Sequence, residues 1–466
     1  MNKSERLLKN TMILSVGTIC TKVISFVMIP FFSSWLSAAD YGDFDLLCTY
    51  VSLLIPFLTL SCGEALFRKI IDAKDRDRTK AITSGCTIIS LIGVACLLLA
   101  APIVFHFYRP ELTVPFIVMT FSELLYNFLC YYARGKKQLT QYTIASIVYI
   151  LVMSVSVTVL VKVFSLGLPG IIYGYAFGYL ISGLFILIST RYFADVNFKS
   201  ATKKDLKEIL EYSAPLIPNT ISWWIANVSD RTIVTVVLGS TINGIYSVAN
   251  KIPSICTALL SVFHISWQET SIDAVNDEDK DTYFNQMLNG TFATIISFTM
   301  CVLSTNFFLF EYVFDNKYSE GRFQVPFLMF SIAFSFVAQF LGGIFIGLQK
   351  TKINGATTVI AAITNIIVHL SLIRFIGLFA ASVSTLVSYL VLFFARLVLV
   401  KKDFNVAVST KNWILCAIMI ICGALQFVQN LYVHIGLIVV SGALFVLINK
   451  HLIFSVVNKI IRRKTQ

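Results

Sequence analysis

The stretch from Tyr212 to Thr270, YSAPLIPNTISWWIANVSDRTIVTVVLGSTINGIYSVANKIPSICTALLSVFHISWQET, decides the fold of this chain. It predicts a hairpin of two membrane-spanning helices, Ala214 to Leu238 and Gly244 to Ser266, joined by a turn at Gly239 to Asn243. Each half is long enough to cross a hydrocarbon core about 30 Å thick, because about 20 helical residues span that distance. The chain is therefore expected to enter the membrane.

The apolar runs of this hairpin contain three charged residues, Asp230, Arg231 and Lys251. A charge near the bilayer centre costs roughly 2.5–3.5 kcal/mol, so such residues usually face a bundle interior or a water-filled cavity. Arg231 and Lys251 stand at similar distances from the turn and hence at similar depth. Asp230, a candidate counter-ion or coupling group, points roughly 100° away from its neighbour Arg231 around the helix, so the two need not neutralise each other, and the two cations have only Asp230 to share. The hairpin thus predicts a cationic pocket suited to an anionic ligand.

Polar residues follow one face of each hairpin helix. On the first helix they recur every three or four residues from Thr220 to Arg231, and a similar series on the second helix begins beside Lys251. Such stripes also occur in ordinary packing between membrane helices. The substrate-binding residues predicted in the hairpin are Trp224, Asn227, Arg231, Asn250 and Lys251.

Composition places the chain among integral membrane proteins. Of its 466 residues, 57% are hydrophobic and 13% are charged, whereas a soluble domain has roughly 25% charged residues. No polar segment is long enough to form a separate globular enzyme domain. The ten cysteines lie in apolar runs without a C-x-x-C pair, and the chain contains no P-loop and no H-E-x-x-H motif. No catalytic residue, metal or cofactor is predicted, and the chain is not expected to be an enzyme.

Hydropathy and charge predict fourteen spans with both termini in the cytoplasm. The predicted spans are 11–33, 44–66, 81–104, 112–133, 141–162, 167–190, 214–238, 244–266, 287–310, 324–347, 353–373, 377–400, 412–429 and 431–449. Of the 37 Lys and Arg residues, 29 then fall in cytoplasmic segments and five in outer segments, as the positive-inside rule requires. This asymmetry explains the net charge of +12 without a nucleic-acid partner.

A weak internal repeat relates the two halves of the chain. The segment from Leu36 to Phe44 aligns with that from Leu238 to Tyr246 at an offset of 202 residues. Parallel repeats of this kind are typical of transporters, whose site lies where the repeats meet. The predicted fold is all-α, with two parallel six-helix lobes, 1–200 and 201–402, around a central cavity. Two extra C-terminal helices and a cytoplasmic tail occupy 403–466.

Three residues outside the hairpin are further candidates. Lys22, near the middle of the first span, is a third cation for the cavity. Glu123 is either a counter-ion for Lys22 or a proton-linked carboxylate. Four polar residues share its helical face: Thr120, Asn127, Tyr131 and Arg134. His369 is either a core histidine or a coupling group.

The hairpin stretch resembles the polysaccharide flippases of the Wzx type, a branch of the multidrug/oligosaccharidyl-lipid/polysaccharide exporter superfamily. Tyr41-Gly42 after the first span and the run from Gly377 to Ala381 look like the same family. The resemblance implies a bacterial plasma-membrane transporter that flips undecaprenyl-diphosphate oligosaccharide units to the outer leaflet by alternating access. It implies that Arg231 and Lys251 bind the head group. The implied partners are this lipid-linked substrate, membrane lipids and other proteins of surface polysaccharide assembly.

The sequence leaves alternative functions open. A multidrug or cation antiporter of the same superfamily would share the fold, although such proteins rely on carboxylates in the cavity. A lipid II flippase would share both the spans and the cations. A membrane glycan polymerase or ligase would need a sizeable outer loop, whereas the longest outer segment here, Glu311 to Phe323, has 13 residues.

Overall fold

The computed structural model shows a chain built from helices. The structure describes residues 3–106, 109–275, 279–348 and 350–464, and within these ranges it contains no β-strand. Fourteen helices in these ranges have 16 residues or more. The predicted all-α fold with about fourteen spans is therefore confirmed.

The chain divides into two compact units, which we call unit 1 (Met1–Val228) and unit 2 (Ser229–Gln466). The predicted domain boundaries at 200 and 402 remain predictions. The helices are α1 (Lys3–Trp35), α2 (Ala38–Leu58), α3 (Cys62–Asp72), α4 (Arg76–His106), α5 (Thr113–Gly135), α6 (Leu139–Val157), α7 (Gly167–Ser189), α8 (Lys203–Ser213), α9 (Ile217–Leu238), α10 (Ser240–Ala274), α11 (Lys280–Ser304), α12 (Val325–Gly347), α13 (Thr351–Ile376), α14 (Phe379–Val400), α15 (Thr410–Leu425) and α16 (Leu431–Lys464).

Most of these helices suit a bilayer. Among the described residues, ten helices are long and apolar enough to cross a membrane, and the shorter stretches Cys20–Trp35 and Thr410–Leu425 are also apolar. Large apolar side chains are exposed on many of them, for example Leu99 (72% exposed) and Phe375 (83%). Lipid solvates such surfaces, so the chain is a multi-pass membrane protein.

Two boundaries differ from the predictions. The predicted span 44–66 is broken, because α2 ends at Leu58 and α3 begins at Cys62. Between them Leu60 and Ser61 have φ of 48° and 53°, and two successive left-handed residues cannot continue an α-helix. The hairpin turn is also shorter than predicted. Gly239 alone separates α9 from α10, with φ of 91°, a conformation that favours glycine.

Each unit has its own packed core. In unit 1, Leu66, Leu129 and Tyr132 are fully buried where α3, α4 and α5 pack. In unit 2, Phe284 and Phe345 are fully buried in a larger aromatic core. Close packing is the main source of helix association in a bilayer, because lipid is as apolar as the helices.

The short helix α8 is tied to unit 1 by ion pairs. It begins with a capping box in which Thr202 and Asp205 satisfy each other's backbone N–H groups. Arg78 on α4 contacts Asp205 and lies 2.5 Å from Glu208, whose other oxygen lies 2.6 Å from Lys69 on α3. Because α8 leads into α9, these pairs fix the entry to the hairpin.

We expect the attachment of α8 to weaken in acid. Hydrogen bonds from Lys69 and then Arg78 lower the pKa of Glu208. Burial alone would raise the pKa of Asp205, but hydrogen bonds from Thr202 and Arg78 outweigh it and lower that pKa. Carboxylates with a depressed folded-state pKa stabilise the fold above their unfolded pKa of about 4, and this stabilisation is lost as the pH falls further.

Thermal unfolding of the detergent-solubilised protein between pH 7 and pH 3 measures this loss. The Glu208→Gln variant should unfold at a lower temperature than wild type at pH 7, with a smaller further decrease below pH 4. Glu211→Gln on the same helix is the matched control, because Glu211 is exposed and lies 3.7 Å from an exposed Lys207. Identical pH profiles for Glu208→Gln and wild type would contradict the expectation.

Candidate functional site

Asp230 and Arg231 have different environments, as their helical positions predict. Asp230 is 8% exposed and Tyr246 is fully buried. The Asp230 carboxylate accepts hydrogen bonds from the Tyr246 hydroxyl and, at 2.8 Å, from the backbone N–H of Arg231. The Arg231 side chain is half-buried. Asp230 therefore joins α9 to α10 inside unit 2.

The predicted stripe on α10 lies at the surface of unit 2. Asn250 and Lys251 are half-buried, and Ser254 and Thr257 further along the helix are exposed. The Asn250 side chain donates a hydrogen bond to the Tyr246 carbonyl at 3.3 Å. The structure thus places the cation Lys251 beside a row of polar groups that a ligand can reach.

The predicted residues of α9 before the unit boundary belong to unit 1. Trp224 donates its indole N–H to the Thr49 carbonyl at 3.1 Å, which packs α9 against α2. Thr220, one turn earlier, lines a cavity of unit 1. The side chain of Asn227 lies outside the described residues. Lys22 is exposed on α1.

That cavity, which we call the unit 1 cavity, has a volume of about 410 Å³. It lies among α2, α3, α5 and the start of α9, and both polar and aromatic side chains line it. Its polar lining consists of Ser52, Thr59, Ser61, Glu64, Glu123, Asn127, Tyr131, Arg134, Tyr142 and Thr220. Of the five polar residues predicted to share a face of the fourth span, four reach this cavity; Thr120 does not line it.

The two carboxyl groups of the unit 1 cavity lie near neutral polar groups. Glu123 and Asn127 are one turn apart on α5 and both line the cavity. Glu64 accepts a hydrogen bond from the Tyr131 hydroxyl at 2.8 Å. The Arg134 guanidinium lies over the Phe67 ring at 4.8 Å. Within the described ranges neither carboxylate is within 4.0 Å of a cationic nitrogen. Glu123 is thus not the ion-pair partner of Lys22 in this structure.

His369 on α13 is fully buried. Neither of its ring nitrogens has a hydrogen-bond partner among the described residues. One turn away, Asn365 donates to the Thr385 hydroxyl at 3.4 Å. A buried histidine without partners is uncommon, so His369 stays a candidate coupling group.

Sequence reasoning missed the roles of Glu64 and Arg396. Glu64 seemed to lie at the end of a continuous span, but the break at Leu60 and Ser61 turns α3 so that Glu64 lines the cavity. Arg396 is one of the 29 basic residues assigned to cytoplasmic segments, although the predicted span 377–400 contains it; in the structure it is 4% exposed within α14. The apolar residues on both sides of Arg396, Phe393 to Val400, were the signal that it lies inside a span.

The chain matches a model of one protein family. A family model described as "Polysaccharide biosynthesis protein" matches residues 7–266, more than half of the chain, including the hairpin and the unit 1 cavity. A search among curated proteins gives no significant match.

Several solved structures share the fold. The lipid II flippase MurJ in an inward closed conformation matches 97% of this chain and 100% of its own, with a TM-score of 0.68 and 14% identity. An inward-facing multidrug resistance MATE family transporter of the MOP superfamily matches 86% of this chain and 99% of its own, with a TM-score of 0.61 and 14% identity. A MOP superfamily transporter from Pyrococcus furiosus matches 85% of this chain and 96% of its own, with a TM-score of 0.59 and 14% identity.

Proposed function

This chain belongs to the polysaccharide biosynthesis protein family, and we propose that it flips a lipid-linked oligosaccharide across the membrane. Family membership confirms the resemblance predicted from the hairpin. The observation that carries the proposal is that the matched region contains two half-buried cations, Arg231 and Lys251, in helices otherwise suited to a bilayer. The proposed cargo is an undecaprenyl-diphosphate oligosaccharide destined for a surface polysaccharide.

The chemistry of this cargo explains why cations are needed. A diphosphate carries about two negative charges, and moving it through hydrocarbon without compensation costs far more than the protein's own stability. Arg231 and Lys251 replace part of the lost hydration with charge-assisted hydrogen bonds. The polar side chains of Asn250, Ser254 and Thr257 continue this row along α10. Arg231 and Lys251 are therefore assigned to the diphosphate, with Lys22 as a third cation.

When the cargo leaves, the cationic residues need a counter-ion, or a coupled residue has to change its protonation state. Asp230, Glu123 and His369 are the candidates for counter-ion or coupling groups. We place the protein in the bacterial plasma membrane with both termini in the cytoplasm, because that orientation puts most Lys and Arg residues inside. In this scheme the head group is picked up on the cytoplasmic side and released outside, while the lipid tail stays in the bilayer. The protein forms and breaks no covalent bond in this scheme.

Deletion of the gene in its native host tests the proposal. Surface polysaccharide should disappear, and lipid-linked repeat units should accumulate in the cytoplasmic leaflet, because their synthesis continues without export. Expression of the wild-type chain should restore both. A deletion strain with normal polysaccharide and increased sensitivity to cationic drugs would instead support an antiporter. Accumulation of single repeat units in the outer leaflet would support a polymerase or ligase.

A further inference from the structure

The lining of the unit 1 cavity differs in chemistry from the cationic residues of the hairpin. We propose that this cavity binds sugar rings of the transported oligosaccharide, and so makes unit 1 the part of the protein that recognises the glycan. This inference rests on the proposed function and assigns a ligand class to a cavity that the cations do not explain. Glu64, Glu123 and Asn127 would accept hydrogen bonds from sugar hydroxyl groups.

The size of the cavity favours a small organic ligand. Its volume of about 410 Å³ lies within the range of roughly 300–1,000 Å³ found for pockets that take small molecules. A single ion would leave most of this space empty. In addition, the described residues contain no group of three or more His, Cys, Asp or Glu side chains that could hold a metal ion.

The charge of the cavity argues against the diphosphate as its ligand. Among its described lining residues, Arg134 is the single cation, beside the carboxyl groups of Glu64 and Glu123, so the cavity offers a diphosphate no pair of cationic donors. Carboxyl oxygens accept hydrogen bonds, and they therefore favour ligands that present O–H or N–H donors. Sugars and amino sugars present several such donors at fixed spacing.

The arrangement of the polar groups is also suited to a polyhydroxylated ligand. The Tyr131 hydroxyl donates a hydrogen bond to Glu64 at 2.8 Å, and Asn127 lies one turn from Glu123 on α5. Both carboxylates keep further acceptor sites, because each of their oxygens has two lone pairs. Arg134, whose guanidinium is stacked on Phe67, can donate to a ring oxygen or an N-acetyl carbonyl. Tyr126 and Tyr142 add rigid aromatic walls.

Transport rates with two carriers of different glycan length test this inference. The probes are the complete lipid-linked repeat unit extracted from the host and a truncated carrier, undecaprenyl diphosphate without a glycan, each in proteoliposomes of the purified protein. Wild type should move the complete unit faster than the truncated one. Glu64→Gln should slow transport of the complete unit about 10-fold or more, because a hydrogen bond from the glycan to a charged acceptor is lost. It should leave the transport rate of the truncated carrier unchanged.

Tyr131→Phe is a second variant that removes one hydroxyl group and keeps the ring. It should reduce the preference for the complete unit without lowering the unfolding temperature by more than a few degrees. Lys251→Gln is the matched control, since it should slow both carriers equally. Equal rates of wild type on the two carriers, or equal slowing of both by Glu64→Gln, would overturn the glycan assignment. Absence of movement of either carrier by wild type would instead reject the proposed function itself.

Discussion

Replacing Arg231 or Lys251 by glutamine is expected to reduce polysaccharide export about 10-fold or more while leaving membrane insertion normal. Glutamine keeps much of the side-chain volume but removes the charge, and a hydrogen bond between charged partners contributes about 1.5–3 kcal/mol. Both residues are half-buried on the hairpin, and we attribute the expected loss of export to weaker cargo binding. Surface polysaccharide, normalised to the amount of protein in the membrane, measures the effect.

The matched control is Arg374→Gln, which makes the same chemical change at an exposed position in the last turn of α13. Export by this variant should equal that of wild type. If Arg231→Gln and Lys251→Gln both exported normally, the cationic mechanism would be wrong. If they reached the membrane in much smaller amounts than Arg374→Gln, their role would be structural.

The second large effect is expected on stability, from Arg396→Met. Arg396 on α14 is 4% exposed and donates to the Ala338 carbonyl on α12 at 2.7 Å. It also donates to the hydroxyl groups of Thr357 and Thr358 on α13, both at 3.1 Å. One guanidinium thus joins three helices. Methionine keeps the length but leaves these acceptors without their charged donor, at a cost of about 3 kcal/mol.

Thermal unfolding in detergent, followed by tryptophan fluorescence, should show a lower midpoint for Arg396→Met by several degrees. Arg396→Lys should be nearly as unstable, because an ammonium group cannot reproduce the planar fork that reaches three helices. Lys402→Met is the matched control, since Lys402 is exposed just beyond the end of α14. Equal midpoints for Arg396→Met and Lys402→Met would show that the buried network contributes nothing.

Much of the fold could be predicted because hydropathy and length dominate in a bilayer. Apolar runs alone predict the hairpin of α9 and α10. Helical spacing alone predicts that Glu123 and Arg134 share one face of α5. The break at Leu60 and Ser61 could not be predicted in this way, since the left-handed backbone that both residues adopt is uncommon for residues other than glycine. Tertiary packing fixes that break, and with it the position of Glu64.

Charged residues were the hardest to place from sequence. Arg396 lies only a few residues before the cytoplasmic cations Lys401 and Lys402, and a count of basic residues does not distinguish a buried guanidinium from an exposed one. Its four hydrogen-bond acceptors lie on two other helices, α12 and α13, so no local pattern reveals them. For Asp230, helical spacing predicts a direction different from that of Arg231, but the sequence does not reveal its hydrogen bond from Tyr246, which lies on the next helix.

The most direct test of the central claim is movement of a fluorescent undecaprenyl-diphosphate oligosaccharide between leaflets in proteoliposomes of the purified protein. A membrane-impermeant quencher reports the fraction of label in the outer leaflet over time. We predict rapid exchange with the wild-type protein and a rate at least about 10-fold lower with Arg231→Gln. Label that stays in its original leaflet with the wild-type protein, even under an imposed proton or sodium gradient, would contradict the claim that this protein is a flippase.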